Sequence, residues 1–339
     1  MRAVGYRQTG PIDAPDALLD IELAVPKPGP RDLLIAVRAV SVNPIDTKRR
    51  RNAAPPPGQA QVLGFDAAGV VCAVGSEVSL FTPGDPVFYA GTPLRQGSNA
   101  QYQLADERLV GHMPASLSFE QAAAMPLTAL TAWEILFTRL GVPRLGGDGA
   151  SLLVIGGAGG VGSMLIQLAR QLTSLKVIAT ASRDETRQWC LDLGAHEVID
   201  HRRPLQEALR DIGIASVAYI ASLTQTSQHW PAMVEAIAPQ GRIALIDDPD
   251  PIDIRPLKTK SVSVHWEWMC TRSVYATADM IEQHHILEEV SRLSEAGILR
   301  STLQQVLGPI DAATLRRAHA QIESGSTLGK LVLSGFGNP

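Results

Sequence analysis

Residues 151–166 read SLLVIGGAGGVGSMLI, a short apolar run that enters a cluster of five glycines and leaves as a helix-like pattern. This stretch restricts the fold more than any other. Residues 151–155 have the length and branching of a buried parallel strand. Val161, Leu165, Leu168 and Leu172 recur at helical spacing, which makes one face of the next segment apolar. Between them lies G-x-G-x-x-G, filled by Gly157, Gly159 and Gly162. Each glycine has a physical role: Gly157 permits the tight turn, Gly159 lets a pyrophosphate approach the backbone, and Gly162 lets the helix pack closely on the strand. The anion then sits at a helix N-terminus. Glycine loops also serve as plain turns, but a strand before and a helix after favour a dinucleotide site. Gly157, Ala158, Gly159, Gly160, Val161 and Gly162 are its candidate residues.

The following residues sharpen that reading. Residues 176–180, KVIAT, fit a second strand. An acidic residue about 20 positions after the glycines would hold the ribose of NAD. Here the stretch is Thr180-Ala181-Ser182-Arg183, with Asp184 just beyond. A hydroxyl and a guanidinium suit a 2′-phosphate, so NADP(H) is favoured; the bland alternative for Arg183 is a solvated surface arginine. Further strands are read at 197–200, 217–220 and 242–246, with helices at 186–193 and 230–237. This βα alternation predicts a doubly wound parallel sheet.

The first third differs. Short apolar runs at 33–42, 67–74 and 87–90 are broken by Pro and Gly, as in a compact, mainly antiparallel β unit. Ser118 opens a capped helix, with Gln121 at the capping-box position. The tail predicts helices at 279–295 and 312–323 and a closing strand at 330–333, for which the N-terminal β unit supplies the sheet.

The 339 residues, 45% hydrophobic and 19% charged, suffice for two domains. A net charge of −4 indicates no broad surface for nucleic acid or anionic membrane. MRAVGYRQTG lacks a signal-peptide core, and no apolar run reaches spanning length. Cys72, Cys190 and Cys270 are odd in number and dispersed, which suits a reducing cytoplasm rather than a disulfide framework or a zinc knuckle.

Several stretches together resemble the medium-chain dehydrogenase/reductase superfamily: SVNPIDTK (41–48), LGFDAAGVVCAVG (63–75), FTPGDPVF (81–88), NAQYQLADERLVGHMP (99–114), SFEQAAAMPLTALTAWEIL (118–136), GGAGGVG (156–162) and GSTLGKLVL (325–333). Within it the chain resembles the quinone oxidoreductase group, and more narrowly bacterial proteins labelled zinc-type alcohol dehydrogenase-like. The resemblance implies an α/β protein: a GroES-like β-rich catalytic domain at 1–124, a Rossmann NADP-binding domain at 125–265, and a return at 266–339 that completes the catalytic domain. It also implies NADPH-linked reduction and a homodimer; the apolar stretch at 261–269 is suited to pairing sheet edges across subunits.

Zinc-dependent members carry a catalytic Cys in the first motif and a His-Glu pair in the second. Here those positions hold Asn43, Phe65 and Asp66. Catalytic zinc needs about three N, S or O ligands, and the structural-zinc cysteines are also missing, so no metal is expected. Hydrogen-bond donors must then stabilise the developing oxyanion. Asn43 offers an amide N–H, Lys48 an ammonium, and Asp46 orients backbone N–H groups. Thr128 and Thr131 match positions that border the nicotinamide in relatives; their alternative is back-bonding within a helix. Lys48 opens the run Lys48-Arg49-Arg50-Arg51, read as a solvated loop. Ser182, Arg183 and Arg187 are phosphate candidates, with His201 where relatives often place a Tyr. Leu223 and Ile246 end later strands on the cofactor rim. Adjacent His284 and His285 read as partly exposed helix surface.

The resulting expectation is a cytoplasmic, zinc-independent, NADPH-dependent reductase of quinones or conjugated carbonyls, acting on small molecules with no nucleic-acid or membrane partner. The alternatives are a zinc-dependent alcohol dehydrogenase with atypical ligands and a non-enzymatic, crystallin-like NADPH-binding protein.

Overall fold

A computed structural model describes residues 1–337. The chain divides into two compact units, one made of residues 1–130 with the return from Cys270, the other running from Thr131 to Met269. The divisions expected at 124/125 and 265/266 lie a few residues earlier in sequence. The helix Pro126–Trp133 runs through the first division, so a motif boundary does not mark it.

The first unit is built on a seven-stranded sheet. Its main path runs Leu303–Val306, Lys330–Ser334, Asp32–Ser41, Asp66–Val74, Pro86–Ala90 and Val110–His112, with Tyr102–Asp106 also paired to Asp32–Ser41. The closing strand pairs antiparallel with Asp32–Ser41, in the register Val332 to Ser41 and Leu333 to Val40. The tail thus joins the N-terminal sheet, as its unpartnered apolar residues require. Leu33, Ile35, Val71, Tyr89, Leu315 and Leu333 meet in the core. Removal of such apolar surface from water is the main favourable term in folding. Ser118 and Gln121 form the expected capping box of the helix Phe119–Ala123.

The second unit holds six parallel strands in the order Glu197–Ile199, Lys176–Thr180, Ser151–Ile155, Val217–Ser222, Ile237–Leu245, Ser263–Trp266. Strand order reverses at Ser151–Ile155, and such a switch point leaves a crevice at the strands' carboxyl ends. The glycine loop leaves from that strand.

Two local expectations are overturned. Lys48–Arg51 is helical rather than a loop, lying in the helix Pro44–Asn52, and Arg50 is fully buried. Its guanidinium binds Gly10 O and Glu323 and lies 3.4 Å from His319 Nδ1, so tertiary partners override the solvated reading at Arg50, while Lys48 and Arg51 are exposed. His284 is buried, because Nδ1 lies 2.7 Å from Val110 O and the ring meets Phe81 edge-on. His285 is exposed.

Candidate active site

The first unit gathers its motif residues around one carboxylate. Ser41 and Asp66 face each other across adjacent strands, and Lys330 opens the strand on the other side of Ser41. Asp66 is fully buried. Its Oδ2 accepts from Ser41 Oγ at 2.8 Å, Asn43 Nδ2 at 2.8 Å and Lys330 Nζ at 3.0 Å. Its Oδ1 accepts the Leu127 N–H at 2.7 Å. The Lys330 ammonium also donates to Asn43 Oδ1 and to Val42 O. A buried charge survives only with such partners.

Asn43 heads the helix Pro44–Asn52, and its N–H donates to Asp46 Oδ2 at 2.8 Å. Asp46 Oδ1 accepts the Gly64 N–H at 3.0 Å, so this side chain orients two backbone donors. Burial pushes its carboxyl up to about 7, while the Asn43 and Gly64 N–H groups and Lys330 pull it down. Both side-chain N–H contacts of Asn43 point inward, to Asp66 and, at 3.4 Å, to Ser41 O. Thr128 is buried and its Oγ1 donates to Met125 O at 3.0 Å, the back-bonded arrangement. Lys48 alone of these four candidates is exposed. Thr131 is buried and belongs to the other unit.

Zinc does not fit these residues. Phe65 is buried and has no ligand atom, the Asn43 carboxamide is engaged by Lys330 and Asp66, and Asp66 already holds an ammonium. Among the described residues no group of three or more His, Cys, Asp or Glu side chains could hold a metal.

Lys330 is the residue that sequence reasoning missed. The signal was present: a lysine standing directly before the apolar run LVL in a predicted strand. A charge there must either be exposed or have a buried partner.

In the second unit the loop has the strand–turn–helix conformation that its spacing predicts, with one correction. The left-handed turn residue is Gly156, at φ +85°, not Gly157. Gly157 is needed for space, since a Cβ there would lie 2.8 Å from Ala179 Cβ and 3.1 Å from Cys190 Sγ. A Cβ on Gly162 would lie 2.4 Å from Gly156 O, whereas on Gly159 it would meet only that oxygen, at 3.6 Å. Gly159 therefore presents open backbone at the N-cap of the helix Gly160–Leu172, which starts with Gly160, Val161 and Gly162. Ala158, within the loop, is buried. A pyrophosphate can approach this surface, with the first-turn N–H groups as donors.

Ser182 and exposed Arg183 follow the strand Lys176–Thr180. Arg202 Nη2 donates to Ser182 O at 3.0 Å, which brings the His201–Arg202 turn beside Ser182. Arg187 Nη1 instead donates to Val198 O at 2.9 Å. A pocket of about 270 Å³ is lined by Ile155, Thr180, His201, Arg202, Gln228 and His229. The rings of His201 and His229 meet edge-on at 6.1 Å. His229 was not legible as a pocket residue, because its helix, Thr226–Ala236, is distant in sequence from the glycine loop. Leu223 and Ile246 immediately follow the strands Val217–Ser222 and Ile237–Leu245, at their carboxyl ends.

Known proteins share this fold. The family described as "Alcohol dehydrogenase GroES-like domain" matches residues 29–131, and that described as "Zinc-binding dehydrogenase" matches residues 160–283. A "Zinc-type alcohol dehydrogenase-like protein" of Staphylococcus epidermidis is 39% identical over 98% of this chain and 99% of its own length. A Rhizobium etli CFN 42 crystal structure, provisionally named a zinc-dependent alcohol dehydrogenase, is 51% identical with a TM-score of 0.96, covering 100% of this chain and 99% of that one. Escherichia coli quinone oxidoreductase complexed with NADPH is 25% identical with a TM-score of 0.84, covering 98% of this chain and 100% of that one. With a GroES-like domain, a parallel Rossmann-type sheet and these likenesses along nearly its whole length, the chain belongs to the medium-chain dehydrogenase/reductase superfamily of oxidoreductases.

Proposed function

We propose that this protein is a zinc-independent, NADPH-dependent reductase of quinones or conjugated carbonyl compounds. One observation carries the reading: the positions that would hold catalytic zinc form a closed network of Asn43, Asp66 and Lys330 beside the apolar Phe65. A reaction run there must suit acceptors that need no Lewis acid. Quinones and enones meet that condition, since the developing anion is delocalised over the acceptor. The nicotinamide cofactor, when bound, supplies the hydride. Lys48 is the exposed cation of the motif and meets the acceptor oxygen, holding its negative charge or giving it a proton. Asn43, Asp46 and Thr128 hold the backbone around it. The loop from Gly157 to Gly162 takes the pyrophosphate, and Ser182, Arg183, Arg187 and His201 take the 2′-phosphate. Thr131, Leu223 and Ile246 complete the cofactor contacts.

A homodimer in the cytoplasm completes this reading. Ser263–Trp266 is an outer strand of the parallel sheet, and Trp266 and Trp268 beside it are exposed. A strand edge flanked by exposed aromatics is a surface that a second copy can cover. Sedimentation should give a dimer, and Trp266→Lys a monomer.

The test is NADPH oxidation with 1,4-benzoquinone, run beside NADH, with and without a strong zinc chelator. Rapid, chelator-insensitive turnover that prefers NADPH is the expected result. Turnover abolished by chelation would overturn zinc independence. Tight NADPH binding with no turnover across an acceptor panel would favour a binding protein.

A further inference from the structure

Lys330 is 3% exposed, and folding alone does not explain a lysine there. A buried ion pair is commonly no more stabilising than apolar side chains of similar volume, because desolvation offsets the attraction. Its three donors meet three oxygens: Val42 O at 3.2 Å, Asn43 Oδ1, and Asp66 Oδ2 at 3.0 Å. That is a full complement for an ammonium.

The consequence falls on Asn43. Its carboxamide oxygen faces the ammonium, and its NH2 group faces the Asp66 carboxylate at 2.8 Å. Turning the amide over would set NH2 against the ammonium and oxygen against the carboxylate, so one orientation is held. Asn43 starts the helix Pro44–Asn52 that carries Asp46 and Lys48. The same Asp66 carboxylate receives Leu127 N–H, in the first turn of the helix Pro126–Trp133 that carries Thr128. One ammonium therefore ties together two helix starts that are about 80 residues apart in the chain.

We propose that Lys330 is a positioning residue of the reductase site: through Asn43 and Asp66 it fixes the two helix starts that carry Lys48 and Thr128. The proposal rests on the reductase reading above for its catalytic consequence, though not for its structural one.

The test compares wild type with Lys330→Met and with Lys330→Met/Asp66→Asn. The double variant leaves no unpaired buried charge, so it keeps the proposal falsifiable if the single variant does not fold. The chain has only four asparagines, Asn43, Asn52, Asn99 and Asn338, so isotope-labelled asparagine resolves the Asn43 carboxamide by NMR. In wild type its N–H pair should exchange slowly; in the double variant, where Asp66→Asn adds a fifth carboxamide that an added Asn43→Asp control tells apart, the Asn43 pair should exchange like that of exposed Asn52. With NADPH and 1,4-benzoquinone, kcat should fall about 100-fold, the scale of a small misplacement at a reacting centre. The NADPH Kd, read by cofactor fluorescence, should change less than about twofold. A slow-exchanging Asn43 amide in the double variant would overturn the proposal. So would an unchanged kcat, or a loss that only follows folded fraction or NADPH affinity. If wild type reduces neither quinones nor conjugated carbonyls while the Asn43 amide is released in the variant, the reductase reading fails and the hold of Lys330 on Asn43 stands.

Discussion

The glycine loop and the cluster around Asp66 reach order by opposite means. At Gly159 and Gly162 the chain removes side chains, so that backbone can approach a ligand or another backbone. Around Asp66 it does the reverse: four donors converge on one carboxylate, and the lysine among them is itself fully engaged. The first device depends on space, is local in sequence and tolerates burial, because it hides no charge. The second depends on matched charge, and its members come from segments around residues 41, 66, 127 and 330. A loop of this kind should therefore fail by collision, and a cluster of this kind by unmatched charge.

Unmatched charge gives the largest expected effect. Asp66→Ala leaves the Lys330 ammonium buried without its carboxylate, and breaking a buried pair typically costs about 3–5 kcal/mol. Urea unfolding measures this directly. A loss under about 1 kcal/mol would show that the cluster is not the dry network its burial indicates.

Asp46 tests the same region through pH. The folded protein holds its proton up to about pH 7, whereas an unfolded chain releases it near the ordinary carboxylate value. Between those limits the folded state binds more protons. Its contribution is thus full at about pH 4 and is lost as pH rises through 7, an upper limit of about 4 kcal/mol. Melting temperature should fall from about pH 5 to pH 7.5 in wild type, and Asp46→Asn should flatten that slope. An unchanged slope in the variant would assign the pH dependence elsewhere.

In the loop, two conservative changes should separate folding from binding. Gly162→Ala would place a Cβ 2.4 Å from Gly156 O, a backbone collision that costs about 1–3 kcal/mol and weakens cofactor binding with it. Gly159→Ala meets nothing closer than 3.6 Å, so it should melt as wild type while NADPH affinity drops about tenfold. Equal effects of the two changes on melting and on affinity would remove the distinction between a packing glycine and a contact glycine.

The same contrast explains what could be read in advance. The loop, its strand and its helix are contiguous, so periodicity and glycine spacing expose them. Even there the turn residue was misplaced by one, from Gly156 to Gly157, because the spacing does not reveal which glycine adopts positive φ. The closing strand was legible because LVL needs a sheet. The lysine before LVL signalled a charge in need of a partner, but not which partner, since the carboxylate that pairs with it lies 264 residues away in sequence. Motif likeness picked out Asn43 as a candidate, but it did not give the direction of its amide. That direction follows from Lys330, which only the folded register brings beside it. Arg50 was misread for the same reason, its acidic partner Glu323 being 273 residues distant.

The smallest expected effect falls at the outer edge of the nucleotide region, where neither device operates fully. Arg183 is exposed, so water screens its attraction for a 2′-phosphate. A charge-assisted contact there should still contribute about 1.4 kcal/mol, or a tenfold preference for NADPH over NADH. Arg183→Ala should therefore lower the NADPH/NADH ratio of kcat/KM about tenfold, with little change in melting temperature. The loss should shrink as ionic strength rises, as an exposed contact requires. An unchanged ratio would move the phosphate contact to Ser182 or to the His201–Arg202 turn, and would leave Arg183 as a solvated surface arginine.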